Sequence, residues 1–412
     1  MKKIAKILIL LLAATSVQAI EYSWSTLGWT TDLDMYGLPS DGSRLSWGNL
    51  RFSPYLEVMY GYDSNPRFAH GNSNNEKSST AFTATTGTTI GYHSLSQRAR
   101  LSGNLYYSMD RYNKQGTSNR DAFGQQLALS HGSPSGWNFN ASEGWVRAKG
   151  RDFTTGDSAD RDSLNFNLGV GRSSDRSRWT YGGNAAYERT DYKGGLYNKN
   201  DGISAGLYVG RHISPKTTAT LSSGYSYRTS KNTDSISQYN LQAGLQSRLL
   251  PKVTYSVSGG GNYSRASNGW NNWGASYNLS LGWKISTKLS ASLYGSSWLQ
   301  PSEIANSEYG TYNYVSMYNT LGGGVTYVPF RYLSTTTQAL YRRGQYKYMG
   351  DYETGSLNGV VDELYMARIA ANLSLTDYLS LVASAQYQFV NSDIKEKEYD
   401  EYSASLGVRL QY

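Results

Sequence analysis

The 412-residue chain contains no cysteine. That one absence removes disulfide staples, thiolate zinc sites, thiol nucleophiles and lipoprotein anchoring. Proline is scarce at 8 residues and histidine scarcer at 4. Charged residues make up 17%, against ~25% in ordinary soluble domains. A chain poor in charge is normally greasy, yet the mean hydropathy is −0.55. No apolar run reaches the ~20 residues that a membrane-spanning helix needs, so a bundle of such helices is excluded. Ser, Thr, Asn, Gln, Gly and Tyr fill the space left by charge, with 43 glycines and 37 tyrosines. That aromatic content argues against disorder. A chain this long implies two or three soluble domains, unless one large sheet closes on itself.

Residues 1–19 read as a secretory signal peptide. Lys2, Lys3 and Lys6 precede the apolar run Ile7–Ala14, and Val17-Gln18-Ala19 fits the small-x-small cleavage rule. Cleavage would remove three lysines and lower the net charge from +8 to +5. This mild basic excess does not point to nucleic acid. If a membrane is involved, strands must cross it.

The main signal is a period of two. In the last segment Tyr402, Ala404, Leu406, Val408, Leu410 and Tyr412 share one face. Ser403, Ser405, Gly407, Arg409 and Gln411 share the other. Successive strand side chains point to opposite faces. The pattern recurs at 164–171, 179–187, 239–245, 273–284, 365–375 and 379–389. Eighteen such segments can be counted, starting near residues 50, 80, 98, 122, 137, 162, 178, 202, 217, 238, 253, 273, 288, 316, 332, 363, 378 and 401. Most can run 10–13 residues, enough for the ~9–11 that cross a bilayer. The segment at 137–147 breaks phase near Glu143, which suggests a bulge. Connections alternate between short turns and longer loops rich in Asn, Asp, Gly, Ser and Lys, the habit of outer-membrane barrels. The expected fold is all-β: a closed, antiparallel, up-and-down transmembrane barrel of about 18 strands, with 16 as the other even count. Residues 50–412 form the barrel. Residues 20–49 lack the pattern and read as a periplasmic extension or partial plug.

An 18-stranded barrel is too wide for side chains to fill. Its apolar face must therefore meet lipid and its polar face a wet lumen. Trp179, Tyr187, Tyr255, Tyr263, Trp273, Trp283, Tyr402 and Tyr412 are placed in aromatic girdles at the two membrane boundaries, where an apolar ring with a polar tip is favoured. Arg100, Arg228, Arg248, Lys284, Arg342, Arg368, Arg409, Glu188, Gln242 and Gln386 are placed on the lumen wall. Amides both donate and accept, so such a wall can exchange hydrogen bonds with a hydroxyl-rich solute. Arginines would favour acidic groups and aromatic faces would suit sugar rings. The bland reading is that any water-filled pore needs polar walls.

A search for chemistry finds no motif. His70, His93, His131 and His212 lack a triad arrangement. Asp152, Asp157, Asp160 and Asp162 are interleaved with Arg151 and Arg161, which suits a solvated loop better than calcium. Gly259–Gly261 and Gly322–Gly324 lack the lysine and helix of a phosphate loop. No enzyme activity, metal or cofactor is expected.

The stretch Pro54-Tyr55-Leu56-Glu57-Val58-Met59-Tyr60-Gly61-Tyr62-Asp63-Ser64-Asn65-Pro66, with Gly-Tyr-Asp-x-Asn at its core, resembles the opening strand of a family of outer-membrane β-barrel porins. Several of that family accompany exopolysaccharide secretion. The resemblance covers about a dozen residues. It implies a passive export conduit working with inner-membrane and periplasmic partners, and it carries over no catalytic residue. Tyr412 also resembles the carboxyl-terminal insertion signal read by the barrel assembly machinery. The expected location is the bacterial outer membrane. The expected function is export of polysaccharide. A nutrient-uptake porin for oligosaccharides or small acidic solutes and a structural or adhesive barrel are the alternatives.

Overall fold

Alternating sequence becomes alternating structure along the chain. The computed structural model describes residues 45–65, 78–94, 98–113, 119–133, 136–150, 160–173, 177–193, 199–230, 233–301, 314–348, 359–393 and 398–412. The signal peptide, most of the 20–49 extension, His70, Asp152 and Asp157 lie outside the described residues.

The strands are β1 (Leu45–Trp47), β2 (Leu50–Asp63), β3 (Ser79–His93), β4 (Ala99–Tyr112), β5 (Arg120–Gly132), β6 (Trp137–Gly150), β7 (Asp160–Arg172), β8 (Trp179–Lys193), β9 (Asn200–Ser214), β10 (Thr217–Ser230), β11 (Thr233–Leu250), β12 (Val253–Ala266), β13 (Asn271–Lys284), β14 (Leu289–Pro301), β15 (Tyr314–Phe330), β16 (Leu333–Tyr348), β17 (Val361–Ser374), β18 (Leu379–Ser392) and β19 (Tyr399–Gln411). From β2 to β19 each strand pairs antiparallel with its sequence neighbours. The circle closes where β19 meets β2, from Ser403 opposite Asp63 to Gln411 opposite Tyr55. The barrel therefore has 18 strands and no free edge, as hydrocarbon requires. β1 stands outside the circle. It falls within the stretch expected to be non-barrel and pairs only with the foot of β2, from Leu45 opposite Phe52 to Trp47 opposite Leu50. Gly48, at φ 62°, makes the tight turn between them.

The strands tilt steeply. A line of opposed residues begins at Leu50 on the short-turn rim. It passes through Tyr92, Leu101, Leu129, Ala141, Leu168, Ala185, Ala205, Tyr225 and Tyr239 to Tyr263 and Trp273 on the other rim. Traced through all 18 pairings, strand-end irregularities aside, the ladder returns to β2 displaced by 22 residues. For a circular section that stagger sets a tilt of about 40° and a backbone diameter of about 35 Å.

Three details differ from expectation. First, β10 and β11 are joined across residues 231–232 and β12 and β13 across 267–270, so two connections on the long-loop rim are tight. Second, β6 has no bulge at Glu143. Its pairing runs unbroken through Leu127 opposite Glu143 and Glu143 opposite Phe166. The break in phase is chemical: Glu143 faces outward and accepts a hydrogen bond from Gln125 Nε2 at 3.2 Å. Third, the strands run 13–18 residues in the barrel, longer than the 10–13 expected. Within the barrel the β13–β14 ladder is the shortest, running only from Asn278 opposite Ser296 to Lys284 opposite Ser290.

Candidate functional site

The two faces of the sheet differ in what they show to the surroundings. Leu207 and Leu406 are 69% and 63% exposed on the outer face, far outside the range of a soluble core. Aromatic side chains frame this apolar band. On the long-loop side Tyr225, Tyr239, Tyr263 and Trp273 form a continuous row with centroids 4.6–6.3 Å apart. Tyr402, 5.6 Å from Tyr62, lies on the same side. Tyr187 is there too, its hydroxyl donating to Asp201 at 3.0 Å. On the short-turn side stand Trp179, under the Arg211 guanidinium at 5.5 Å, and Tyr412, 5.9 Å from Tyr378. Tyr255 and Trp283 share that side on β12 and β13. Just above the long-loop girdle Arg147 holds Asp162 through Nε at 2.6 Å and Nη2 at 3.0 Å. Asp162, one of the carboxylates of the acidic cluster, is thus occupied by an arginine.

Two sectors of the inner wall contrast. Across β6–β13 it is half-open and made of amides laid over glycines. Asn140 opposes Gly169, Asn184 opposes Gly206 and Asn240 opposes Gly224. A Cβ on Gly206 would lie 2.6 Å from Asn184 Oδ1, and one on Gly224 2.8 Å from Asn240 Oδ1. Each amide therefore lies along the wall, because its neighbour has no side chain to push it off. Gln242 does the same across Gly260. Its Nε2 donates to Ser276 Oγ at 3.0 Å, and its Oε1 accepts from Ser258 Oγ and Asn278 Nδ2, both at 3.3 Å. Higher on this wall Arg228 Nη2 meets Glu188 Oε1 at 2.7 Å. The pair spans three strands, because Gly202 of β9 opposes both residues.

The Arg228–Glu188 pair yields a measurable consequence. Glu188→Gln removes one negative charge from the lumen beside Arg228. The reversal potential under a salt gradient should then shift toward anions at about 0.1 M salt and return toward the wild-type value near about 1 M, where the Debye length is ~3 Å. No shift would mean that this pair lies off the conducting path.

The second sector spans β2–β5 and β17–β19, and its inner face is largely buried. Glu57 is 2% exposed, Tyr55 4%, Asp110 4% and Arg409 4%. Glu57 and Arg409 oppose each other across the closing seam, and the Arg409 guanidinium lies 5.5 Å from the Tyr55 ring. Arg368 opposes Gln386, which opposes Ser403. Next to this sector, Arg342 of β16 lies over Tyr318 of β15 at 5.1 Å. The Asp63 and Asn65 side chains of the Gly-Tyr-Asp-x-Asn step pin the seam from above. Asp63 accepts from the Asn65 amide at 2.9 Å and from the Tyr112 hydroxyl at 3.2 Å. Asn65 Nδ2 donates to the Asp400 carbonyl at 3.3 Å. Through these contacts the motif ties β2 to β4 and β19.

A closed antiparallel sheet with an apolar, aromatic-framed exterior and a hydrophilic interior can be wetted by lipid only from outside. The chain is an outer-membrane β-barrel. No family model and no curated protein matches it. Among solved structures it is similar to OpdO of Pseudomonas aeruginosa, at 10% identity and TM-score 0.47, over 88% of this chain and 97% of that one. It is similar to OccK11 (OpdR) of the same organism, at 12% identity and TM-score 0.43, over 88% and 95%. The siderophore receptor PirA of Pseudomonas aeruginosa matches at 9% identity and TM-score 0.45, over 88% and 80%. Likenesses this distant add nothing to the reading of the wall itself.

Of the residues placed on the lumen wall by alternation, Arg100, Arg228, Arg342, Arg368, Arg409, Glu188, Gln242 and Gln386 fall on inward register positions. Arg248 and Lys284 lie at the short-turn rim. Arg248 Nη2 donates to the Pro251 carbonyl at 2.8 Å, and exposed Lys284 ends β13. The barrel does not gather these side chains into one cluster. Sequence reasoning missed Arg120 and Arg161, both inward and buried. They sit on strand ends that the shorter expected segments had left in loops. Among the described residues no group of carboxylates and histidines could hold a metal ion.

Proposed function

We propose that this barrel is a passive conduit for polysaccharide leaving the cell. The observation that carries the reading is the amide-over-glycine wall of β6–β13. Its side chains lie flat, so no hydroxyl-rich chain must climb past them. Each amide offers a donor and an acceptor, so hydrogen bonds to a moving solute can be exchanged one for another. The arrangement includes no bond-making or bond-breaking step. The driving force would come from inner-membrane and periplasmic partners, and the terminal strand ending in Tyr412 would be the handle for the assembly machinery. The wall suits uptake of oligosaccharides as well, which keeps a nutrient porin as the second reading.

Planar-bilayer recordings separate the readings. The protein should open ion-conducting channels, and oligosaccharides added to one side should interrupt the current reversibly. Deletion of the gene should deplete extracellular polysaccharide without affecting growth on oligosaccharides. Normal matrix with impaired growth on oligosaccharides would assign the barrel to uptake. Absence of any conductance would favour a structural surface barrel.

A further inference from the structure

The inner wall carries tyrosines laid on glycines. Tyr55 lies over Gly87, Tyr106 over Gly124, Tyr294 over Gly322 and Tyr208 over Gly182. Tyr208 differs from the others in two ways. Its ring crosses two neighbouring strands: a Cβ on Gly182 of β8 would lie 2.7 Å from Tyr208 Cε1, and one on Gly171 of β7 2.5 Å from its hydroxyl. Four residues of one transverse row make this arrangement, Asn138, Gly171, Gly182 and Tyr208, each opposed to the next. Tyr55, by contrast, is buried, and Tyr106 belongs to the buried sector that holds Arg120.

The surroundings of Tyr208 are also uncharged. Its own row continues through Ser222 and Gln242. The next inward row up carries Asn140, Asn184 and Asn240. Toward the long-loop rim the first inward ions on this sector, Glu188 and Arg228, meet each other at 2.7 Å. Toward the short-turn rim the next inward row is Gly210 and Thr180, and His212 follows with Arg178 beside it at the rim. One face of the ring is thus packed against glycine backbone. The half-buried side chain turns the other toward the lumen, and amides flank it on both sides.

We propose that Tyr208 is a stacking platform for the apolar face of a neutral sugar ring, with Asn138, Asn140 and Asn184 receiving the equatorial hydroxyls. A pyranose has just this division: axial C–H groups on its faces and hydroxyls on its rim. A flat aromatic face takes the C–H side, and amides at the edge take the hydroxyls. The absence of net charge beside the ring selects neutral units over uronic acids. Gly171 and Gly182 set the geometry, because any side chain there would lift the ring from the wall. This inference rests on the saccharide reading given above and names the residue class and position that would carry it.

Current-block measurements with maltohexaose and with an oligogalacturonate of equal length provide the test. Maltohexaose should block wild-type channels, with an affinity that changes little between about 0.1 and 1 M salt. Tyr208→Leu, which keeps the bulk but not the flat ring, should weaken the block about tenfold, as should Tyr208→Ala. Tyr208→Phe should restore most of it. Barrel assembly of each variant is checked by protease resistance in the outer membrane. Block that is unchanged in both Tyr208→Leu and Tyr208→Ala would overturn the platform while leaving the saccharide conduit standing. Block by the oligouronate alone would overturn the neutral specificity. Conducting channels that neither sugar blocks would remove the saccharide reading itself.

Discussion

Arginine in place of Leu207 will destabilise the barrel by about 2–4 kcal/mol in a bilayer, the cost of a cation on the lipid face near the midplane. Leu207 lies at the centre of β9, and its side chain is 69% exposed on the outer surface. Arginine in place of Ser204, three residues earlier on the same strand, will cost about 0.5 kcal/mol or less. Ser204 points to the lumen, opposite Ala186 and Ser226, where water solvates the guanidinium. Urea titration of reversible folding into lipid vesicles measures both. The contrast depends chiefly on the assignment of faces, because the strand and the introduced charge are the same. Equal costs, or the reverse order, would refute the assignment.

Alanine in place of Gly260 will prevent or cripple closure between β11 and β12, at a cost of at least about 3 kcal/mol. A Cβ there would overlap the Leu241 carbonyl oxygen and lie 2.7 Å from Gln242 Cα. Both are backbone atoms of the adjoining strand and cannot swing aside as a side chain would. The flanking glycines behave differently. A Cβ on Gly259 meets nothing nearer than 4.0 Å, and one on Gly261 nothing nearer than 3.9 Å. Gly259→Ala and Gly261→Ala should therefore assemble as well as wild type, and each removes some freedom from the unfolded chain. Heat-modifiable mobility on gels, with folding yield in detergent, distinguishes the three variants. If Gly260→Ala assembles normally, the close approach of β11 and β12 is wrong.

The Gly259–Gly261 run shows where local reading stops. Its composition hints at a phosphate loop, and alternation around it rules that out. Only the neighbouring strand shows that the middle glycine alone is required. Glu143 gives the converse. The sequence shows an acid out of phase, for which a bulge is the simplest local remedy. The barrel keeps its register and pairs the acid with Gln125 on β5, a partner 18 residues away. The girdle residues were legible because an aromatic at each end of an outward face needs only the period of two and the thickness of the membrane. The buried sector was not legible. Arg120 and Arg409 alternate like other inward residues, and nothing in a single strand tells a buried inward position from a wet one.

Alternation by itself determined that this chain closes into a barrel, which face meets lipid and where the membrane boundaries fall. Each of these follows from the step of a strand and from the penalty for leaving a peptide group unpaired in hydrocarbon. The stagger, and through it the width of the lumen, was decided by the fold, because register is a relation between strands and no strand carries it alone. The same holds for the tyrosines and amides lying over glycines. Their partners are 16–37 residues distant in sequence, and only closure sets a bare backbone beside a side chain long enough to cover it.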